Sequence, residues 1–145
     1  MGIIVAHSLG SLPLVAAGLL QTTNWEGSPN NNWYEIPSAN WGASWATYPG
    51  TVKSANGLVI SGSGLATVKL TTQTSSGTGS RLGRYKINGV ANSEDTTLNT
   101  ANPYVQTFTN VQLNDGDIVI PEYRNNGSIS SQRTFSACSI EIIPN

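Results

Sequence analysis

The sequence predicts an all-β domain of antiparallel strands. Residues 104–145 divide into three short strands, each closed by an Asn- or Asp-rich turn. From residue 56 onward, β-like runs alternate with dipeptides that accept a positive φ in tight turns: Asn56-Gly57, Asn88-Gly89, Asp115-Gly116 and Asn126-Gly127. A chain of 145 residues forms about one domain and can bury a core without a disulfide or a metal.

The predicted strands follow one another between these turns. Residues 58–61 form a short run, and residues 66–71 alternate apolar side chains with Thr and Lys, which is the two-residue period of a half-buried strand. Residues 82–88 carry apolar side chains on both faces. Residues 104–111 are rich in Thr, Val and aromatic residues, and residues 118–120 place two isoleucines on one face.

The last predicted strand spans residues 135–142 and has apolar or small side chains on both faces. One face carries Phe135, Ala137 and Ser139, and the other carries Cys138, Ile140 and Ile142. We therefore expect this strand in the middle of the assembly rather than at an edge. Cys138, the only cysteine, is predicted to be a core residue, because a reactive thiol needs cationic surroundings.

Two polar stretches are predicted to be exposed, mobile connections. Residues 72–80 are almost entirely Ser, Thr and Gly, and residues 91–102 are polar, with adjacent acids at Glu94 and Asp95. Neither these acids nor the Asp-Gly-Asp of residues 115–117 match the spacing of a dedicated calcium loop. We expect no metal and no cofactor.

The low charge of the chain narrows the classes of partner. Charged residues make up 10% of the sequence, against roughly 25% in typical soluble domains. The formal net charge is −1, and no Lys or Arg precedes Lys53, so we expect neither nucleic acid nor a membrane as partner. A polar but little-charged surface fits packing against copies of the same chain or against a large assembly. It also fits an extracellular glycan-binding module.

Residues 1–21 are predicted to be an N-terminal arm or the first strand, and residues 22–145 a single β domain. The first stretch lacks the positively charged start of a signal peptide and is too interrupted to span a membrane. Residues 3–10 resemble the nucleophile elbow of α/β-hydrolases around Ser8. That mechanism needs a separate downstream His, and the only His in the chain, His7, precedes Ser8. We therefore expect no enzymatic activity.

Residues 22–52 form an irregular region that holds all four tryptophans. Their spacing of eight, eight and four residues matches no single helix face. They stand among Asn, Ser, Pro and Gly, so we predict loops with short extended pieces. The aromatic rings either cap an open end of the β core or form a contact surface for a sugar or a protein.

Three stretches carry short motifs in a fixed order along the chain. Residues 84–90 end a strand in Ile-Asn-Gly, residues 111–120 place Leu and then Gly-Asp before an apolar strand, and residues 134–140 begin with Thr-Phe-Ser. These stretches resemble the later strands of the jelly-roll heads in the complement globular-head and tumour-necrosis-factor superfamily. The resemblance covers roughly residues 58–143 and rests on short motifs. Ala137 stands where the family usually has Gly, and the Trp-rich region has no clear counterpart.

The resemblance implies a ten-strand antiparallel jelly-roll sandwich with an extended N-terminal arm, assembled as a homotrimer through the apolar face of its central strands. Such heads also occur as decoration and tail components of bacteriophage virions. The chain is therefore expected to be a virion structural protein, a trimeric capsid decoration protein that binds the major capsid protein or another virion component. The arm residues assigned to this contact are Ile3, Ile4, Val5, Leu9, Leu12 and Leu14.

The alternative function is a carbohydrate-binding or receptor-binding β-sandwich, at a phage tail tip or in an enzyme accessory domain. Such a module would use several tryptophans as stacking platforms, with nearby Asn and Glu as hydrogen-bond partners. The candidate residues are Trp25, Trp33, Trp41 and Trp45. The sequence leaves both functions open.

Overall fold

Two antiparallel sheets pack face to face in the structure, a computed structural model that describes residues 12–27, 32–93 and 97–145. The four-stranded sheet contains, in order across the sheet, β1 (Ala17–Leu20), β11 (Ser139–Pro144), β5 (Gly64–Thr72) and β8 (Tyr104–Leu113). The five-stranded sheet contains, in order, β3 (Val52–Ser54), β4 (Gly57–Val59), β9 (Ile118–Asn125), β6 (Arg81–Ile87) and β7 (Val90–Ser93). A short pair, β2 (Trp25–Glu26) and β10 (Thr134–Phe135), a 3-10 turn at Ser38–Asn40 and one helical turn, α1 (Ser130–Arg133), complete the described elements. The prediction of an all-β antiparallel sandwich is confirmed.

The chain passes back and forth between the two sheets. From β4 onward, successive strands of the two sheets lie in opposite sheets, apart from the hairpin that joins β6 to β7. This path is the connectivity of a jelly roll. The described ranges place nine strands in the two sheets and two in the short pair, against the ten that the resemblance implies. Within these ranges, no helix has the length and apolarity needed to cross a membrane.

The core lies between the sheets and follows the predicted alternation. In β5, Ala66, Val68 and Leu70 are fully buried, whereas the side chains between them are partly exposed. Ile140 and Ile142 of β11 are fully buried as well. Strand β11 pairs with β1 on one side and with β5 on the other, so the prediction that the last strand lies inside a sheet is confirmed.

The predicted strand over residues 135–142 is wrong in one respect, because Ala137 interrupts it. Strand β10 ends at Phe135 and β11 begins at Ser139. Ala137 has a φ of 52°, in the left-handed region, and it is exposed, whereas Phe135 and Cys138 are both buried. A left-handed residue turns the chain, and it shifts the two-residue alternation that an uninterrupted strand would keep.

Replacing Ala137 with Gly is expected to raise the free energy of unfolding by about 1 kcal/mol, because the Cβ of an L-residue is unfavourable at left-handed φ by roughly 1–2 kcal/mol. Ala91 provides the matched control, since it is an exposed alanine in β7 outside the positive-φ set. Ala91→Gly should lower the same free energy by roughly 0.5–1 kcal/mol. Urea denaturation measures both changes, and two losses of similar size would contradict the prediction.

The two stretches predicted to be exposed connections are partly structured. Strand β7 extends to residue 93, and a hairpin joins it to β6. The turn residues Asn88 and Gly89 have φ values of 51° and 85°, which agrees with the tight turn predicted there. Thr72 and Thr74, at the start of the other stretch, are buried.

Arg81 anchors residues 74–79 and 100–101 from inside the protein. Its side chain is fully buried, and its Nε donates a hydrogen bond to Thr74 Oγ1 at 2.9 Å. Its terminal nitrogens donate to the main-chain carbonyls of Ser76, Thr78, Gly79, Thr100 and Ala101. Because carbonyl acceptors are common to all residue types, the sequence of these loops gave no indication of the anchor.

Candidate functional site

The residues assigned to the N-terminal arm fall into two groups. Ile3, Ile4, Val5 and Leu9 lie outside the described residues, as do His7 and Ser8. Leu12 is 79% exposed, whereas Leu14 is buried in the core at 8% exposure. Because β1 pairs with β11 along its whole length and Leu14 is buried, the second half of residues 1–21 belongs to the sandwich and not to a separate arm.

Trp41 is a core residue. Its side chain is 2% exposed, and the ring lies 6.3 Å from that of Tyr123. The indole Nε1 donates a hydrogen bond to the carbonyl oxygen of Asn56 at 3.1 Å. A ring in this environment offers no face to a ligand.

Trp25 and Trp45 are half-buried in separate aromatic groups. The Trp25 ring stacks on Phe135 at 6.1 Å and meets Tyr34 edge-on at 5.7 Å. Trp45 meets Tyr48 edge-on at 5.1 Å. The tryptophans are therefore spread over the core and over different surfaces of the protein.

Tyr48 lies above Gly18 of β1, since a Cβ added to Gly18 would overlap the Tyr48 ring. Its hydroxyl donates a hydrogen bond to Glu141 Oε1 at 2.8 Å. Burial, together with this hydrogen bond, raises the pKa of Tyr48 to about 12. The segment around Tyr48 thus covers the outer side of β1.

The outward-facing side of β5, β8 and β11 forms a surface that we call the assembly face. Its exposed apolar side chains are Leu65, Val105 and Ile143, which are 46%, 47% and 38% exposed. Lys69 and Glu141, paired across the strands, neutralise one another at 3.4 Å. Most other outward positions are threonines, so this face combines exposed apolar groups with almost no net charge.

The outer side of the five-stranded sheet, in contrast, carries many charged groups. Tyr34 exchanges two main-chain hydrogen bonds with Tyr123 of β9, at 2.9 and 2.8 Å, so residues 33–35 lie beside β9 as an added strand. The neighbours of these inward-facing tyrosines point outward, because side chains alternate along a strand. Together with β6 they form what we call the Trp33 patch: Trp33, Glu35, Arg84, Lys86, Glu122 and Arg124.

Ion pairs hold the charged groups of the Trp33 patch in place. Glu122 Oε2 accepts from Arg84 Nε at 2.6 Å, and Glu122 Oε1 lies 2.9 Å from Lys86 Nζ. Lys86 Nζ also lies 3.3 Å from Glu35 Oε2. The hydrogen bond to Glu122 raises the pKa of Lys86, although burial acts in the opposite direction.

Trp33 is partly exposed and lies against two guanidinium groups. The Cζ atom of Arg84 is 4.4 Å from the centroid of the Trp33 ring, and that of Arg124 is 5.7 Å from it. Both distances are within the range of cation–π attraction. In the patch, an aromatic ring therefore lies beside cations and carboxylates, and the ion pairs among these charged groups hold them in place.

Sequence reasoning identified Trp33 but not its charged neighbours. Arg84 and Lys86, and likewise Glu122 and Arg124, are spaced by two residues, which places each pair on one face of a strand. This two-residue spacing is the sequence feature from which the charged neighbours of Trp33 could have been predicted. Because the register between β6 and β9 could not be read from the chain, the sequence did not show that the two pairs meet.

Cys138, Asp115 and Asp117 take part in the packing and hydrogen bonding of the fold. Cys138 is fully buried, and burial raises the pKa of its thiol to about 12, so a thiolate nucleophile does not form near neutral pH. Asp115 Oδ1 accepts from the Gly62 amide at 2.8 Å, and Asp117 Oδ2 accepts from the Asn114 amide at 2.9 Å. No group of three His, Cys, Asp or Glu residues that could hold a metal ion occurs in the part of the chain that the structure describes.

No protein-family model matches the sequence, and no curated protein is significantly similar to it.

Proposed function

We propose that the chain is a non-enzymatic structural protein that assembles as a homotrimer and decorates the head of a bacteriophage. The chemistry of the assembly face is the observation that supports self-assembly. Leu65 and Ile143 lie near one end of it and Val105 near the other, so exposed apolar groups stand at both ends. The one ion pair found on this face among the described residues, Lys69 with Glu141, lies between these ends and is internally neutralised. A face without net charge is suited to packing against a copy of itself, because interface cores carry few unpaired charges.

The strand order and one unusual backbone conformation support the jelly-roll resemblance from which the virion part of the proposal is drawn. The orders β1-β11-β5-β8 and β3-β4-β9-β6-β7 have the connectivity of the jelly-roll heads that the sequence resembles. Ala137 occupies the position where those heads usually have Gly, and its φ of 52° is one that favours Gly.

Light scattering of the purified protein is expected to give a mass of three 15.3 kDa protomers that holds over a range of concentrations. The double variant Leu65→Glu, Val105→Glu should give a single protomer, because it would bury two carboxylates in each contact without partners. Both side chains are about half exposed in the isolated chain, so the variant should keep its fold.

Val52→Glu is the matched control, since Val52 is 60% exposed in β3 of the other sheet and the change is chemically the same. It should leave the trimer intact. A wild-type monomer at all concentrations, or a double variant that remains trimeric, would contradict self-assembly through the assembly face.

Head binding is tested with a deletion of residues 1–11. This deletion keeps Leu14 and β1, both of which the core needs, so the trimer should survive. Binding to purified heads that lack the protein should be lost. If the intact trimer does not bind such heads, the decoration role is wrong, although the self-assembly is not.

A further inference from the structure

We infer that the Trp33 patch is a binding site for a short saccharide. This inference does not rest on the proposed function, because the patch and the assembly face lie on opposite outer sides of the sandwich. Five of the 15 charged residues of the chain, seven basic and eight acidic, are gathered in the patch. In a protein with so little charge, this concentration needs a physical reason.

Stability does not supply that reason. The paired side chains of the patch are largely buried, at 9–31% exposure, and a buried ion pair adds little net stability because the cost of removing its charges from water offsets their attraction. Glu122 is the most deeply buried of them, and apolar residues of the same size would serve a purely structural role about as well. The arrangement instead keeps donors and acceptors in fixed positions at a surface.

The chemical groups of the patch match those of a sugar. Trp33 supplies an aromatic ring, onto which the apolar C–H face of a pyranose packs. Glu35, whose side chain is 31% exposed, accepts hydrogen bonds from the hydroxyl groups of the sugar. Lys86 and Arg84 restrain the carboxylates of Glu35 and Glu122. This prior ordering reduces the entropy that ligand binding would otherwise cost.

The size of the patch favours a saccharide over a protein partner. Three adjacent strands span roughly 10 Å, and two outward residues on one strand lie roughly 7 Å apart. That area accommodates one or two sugar rings. It is about a tenth of the roughly 800 Å² that each partner contributes to a stable protein interface.

Titration calorimetry with 3′-sialyllactose, lactose, cellobiose and chitotriose tests the inference on the full chain. At least one probe should bind with a Kd in the millimolar range or tighter, as expected for a single small site. Trp33→Ala should weaken that binding roughly tenfold or more, as the loss of an aromatic anchor does. Glu35→Gln, which keeps the side-chain size, should also weaken it, and the melting temperature of each variant reports whether the fold is intact.

Trp45→Ala is the matched control, because Trp45 is likewise half-buried but lies beside Tyr48, on the β1 side of the protein. Its effect on binding should be less than about twofold, as for a surface change away from the site. The inference is overturned if no probe binds at about 10 mM, well above the expected Kd. It is also overturned if Trp45→Ala weakens binding as much as Trp33→Ala, or if Glu35→Gln has no effect.

Discussion

Arg81→Met is expected to lower the free energy of unfolding by about 4 kcal/mol, because several acceptors would lose hydrogen bonds to a charged donor that contribute roughly 1.5–3 kcal/mol each, and the loss is partly offset because no charge is then buried. Arg81 is fully buried and donates to Thr74 Oγ1 and to five main-chain carbonyls. Met fills a similar volume but donates no hydrogen bond, so these acceptors would lose their partner. A loss of this size is a large part of the roughly 5–15 kcal/mol that stabilises a typical domain.

The carbonyls that Arg81 joins come from two separate segments, residues 76–79 and 100–101. The loss should therefore also appear as faster amide hydrogen exchange in both segments. Arg81→Lys should restore only part of the stability, because a single ammonium group with three donors cannot replace the planar fork of the guanidinium. Burial lowers the pKa of Arg81, but an arginine remains charged in proteins, so the network does not titrate near neutral pH.

Guanidinium denaturation of the wild type and the two Arg81 variants measures these changes. Arg133→Met is the matched control, because Arg133 is only partly buried and its Nη1 donates to the Ser128 carbonyl at 3.0 Å. Its effect should be within about 1 kcal/mol, as is usual at such positions. An Arg81→Met variant as stable as Arg133→Met would contradict the anchoring role of Arg81.

Gly57→Ala is expected to lower the free energy of unfolding by about 3 kcal/mol, at the upper end of the range for forcing atoms into a packed site. Gly57 is buried at the start of β4, where β4 pairs with β9. A Cβ added there would overlap the carbonyl oxygen of Val119 and crowd the Cα of Ile120. Because both are main-chain atoms, relief requires β4 and β9 to separate.

The midpoint of urea denaturation measures this change, with one m-value shared by the wild type and the variants. Gly50→Ala is the control, since nothing lies within 4 Å of a Cβ added at Gly50. It should leave stability unchanged within about 0.5 kcal/mol. Equal stability of the two variants would show that β9 does not approach Gly57 as closely as described.

Gly57 also shows where reasoning from dipeptides fails. Asn56-Gly57 predicts a tight turn with a positive φ, yet the positive φ belongs to Ala55, at 50°, and Gly57 is the first residue of β4. The hairpin exists at the predicted place. The reason for the glycine, however, is the approach of a strand more than 60 residues away in the chain.

The sequence by itself determined the all-β class, the position of most strands and the buried face of β5, because a two-residue apolar period is a local property of the chain. It also predicted the core position of Cys138 and the turn at Asn88 and Gly89. Only the tertiary structure decided that Arg81 gathers two loops, that Trp41 is buried while Trp33 is partly exposed, and that Arg84 meets Glu122. Each of these depends on strand register or on the order of strands across a sheet, which are set by contacts between residues far apart in the chain.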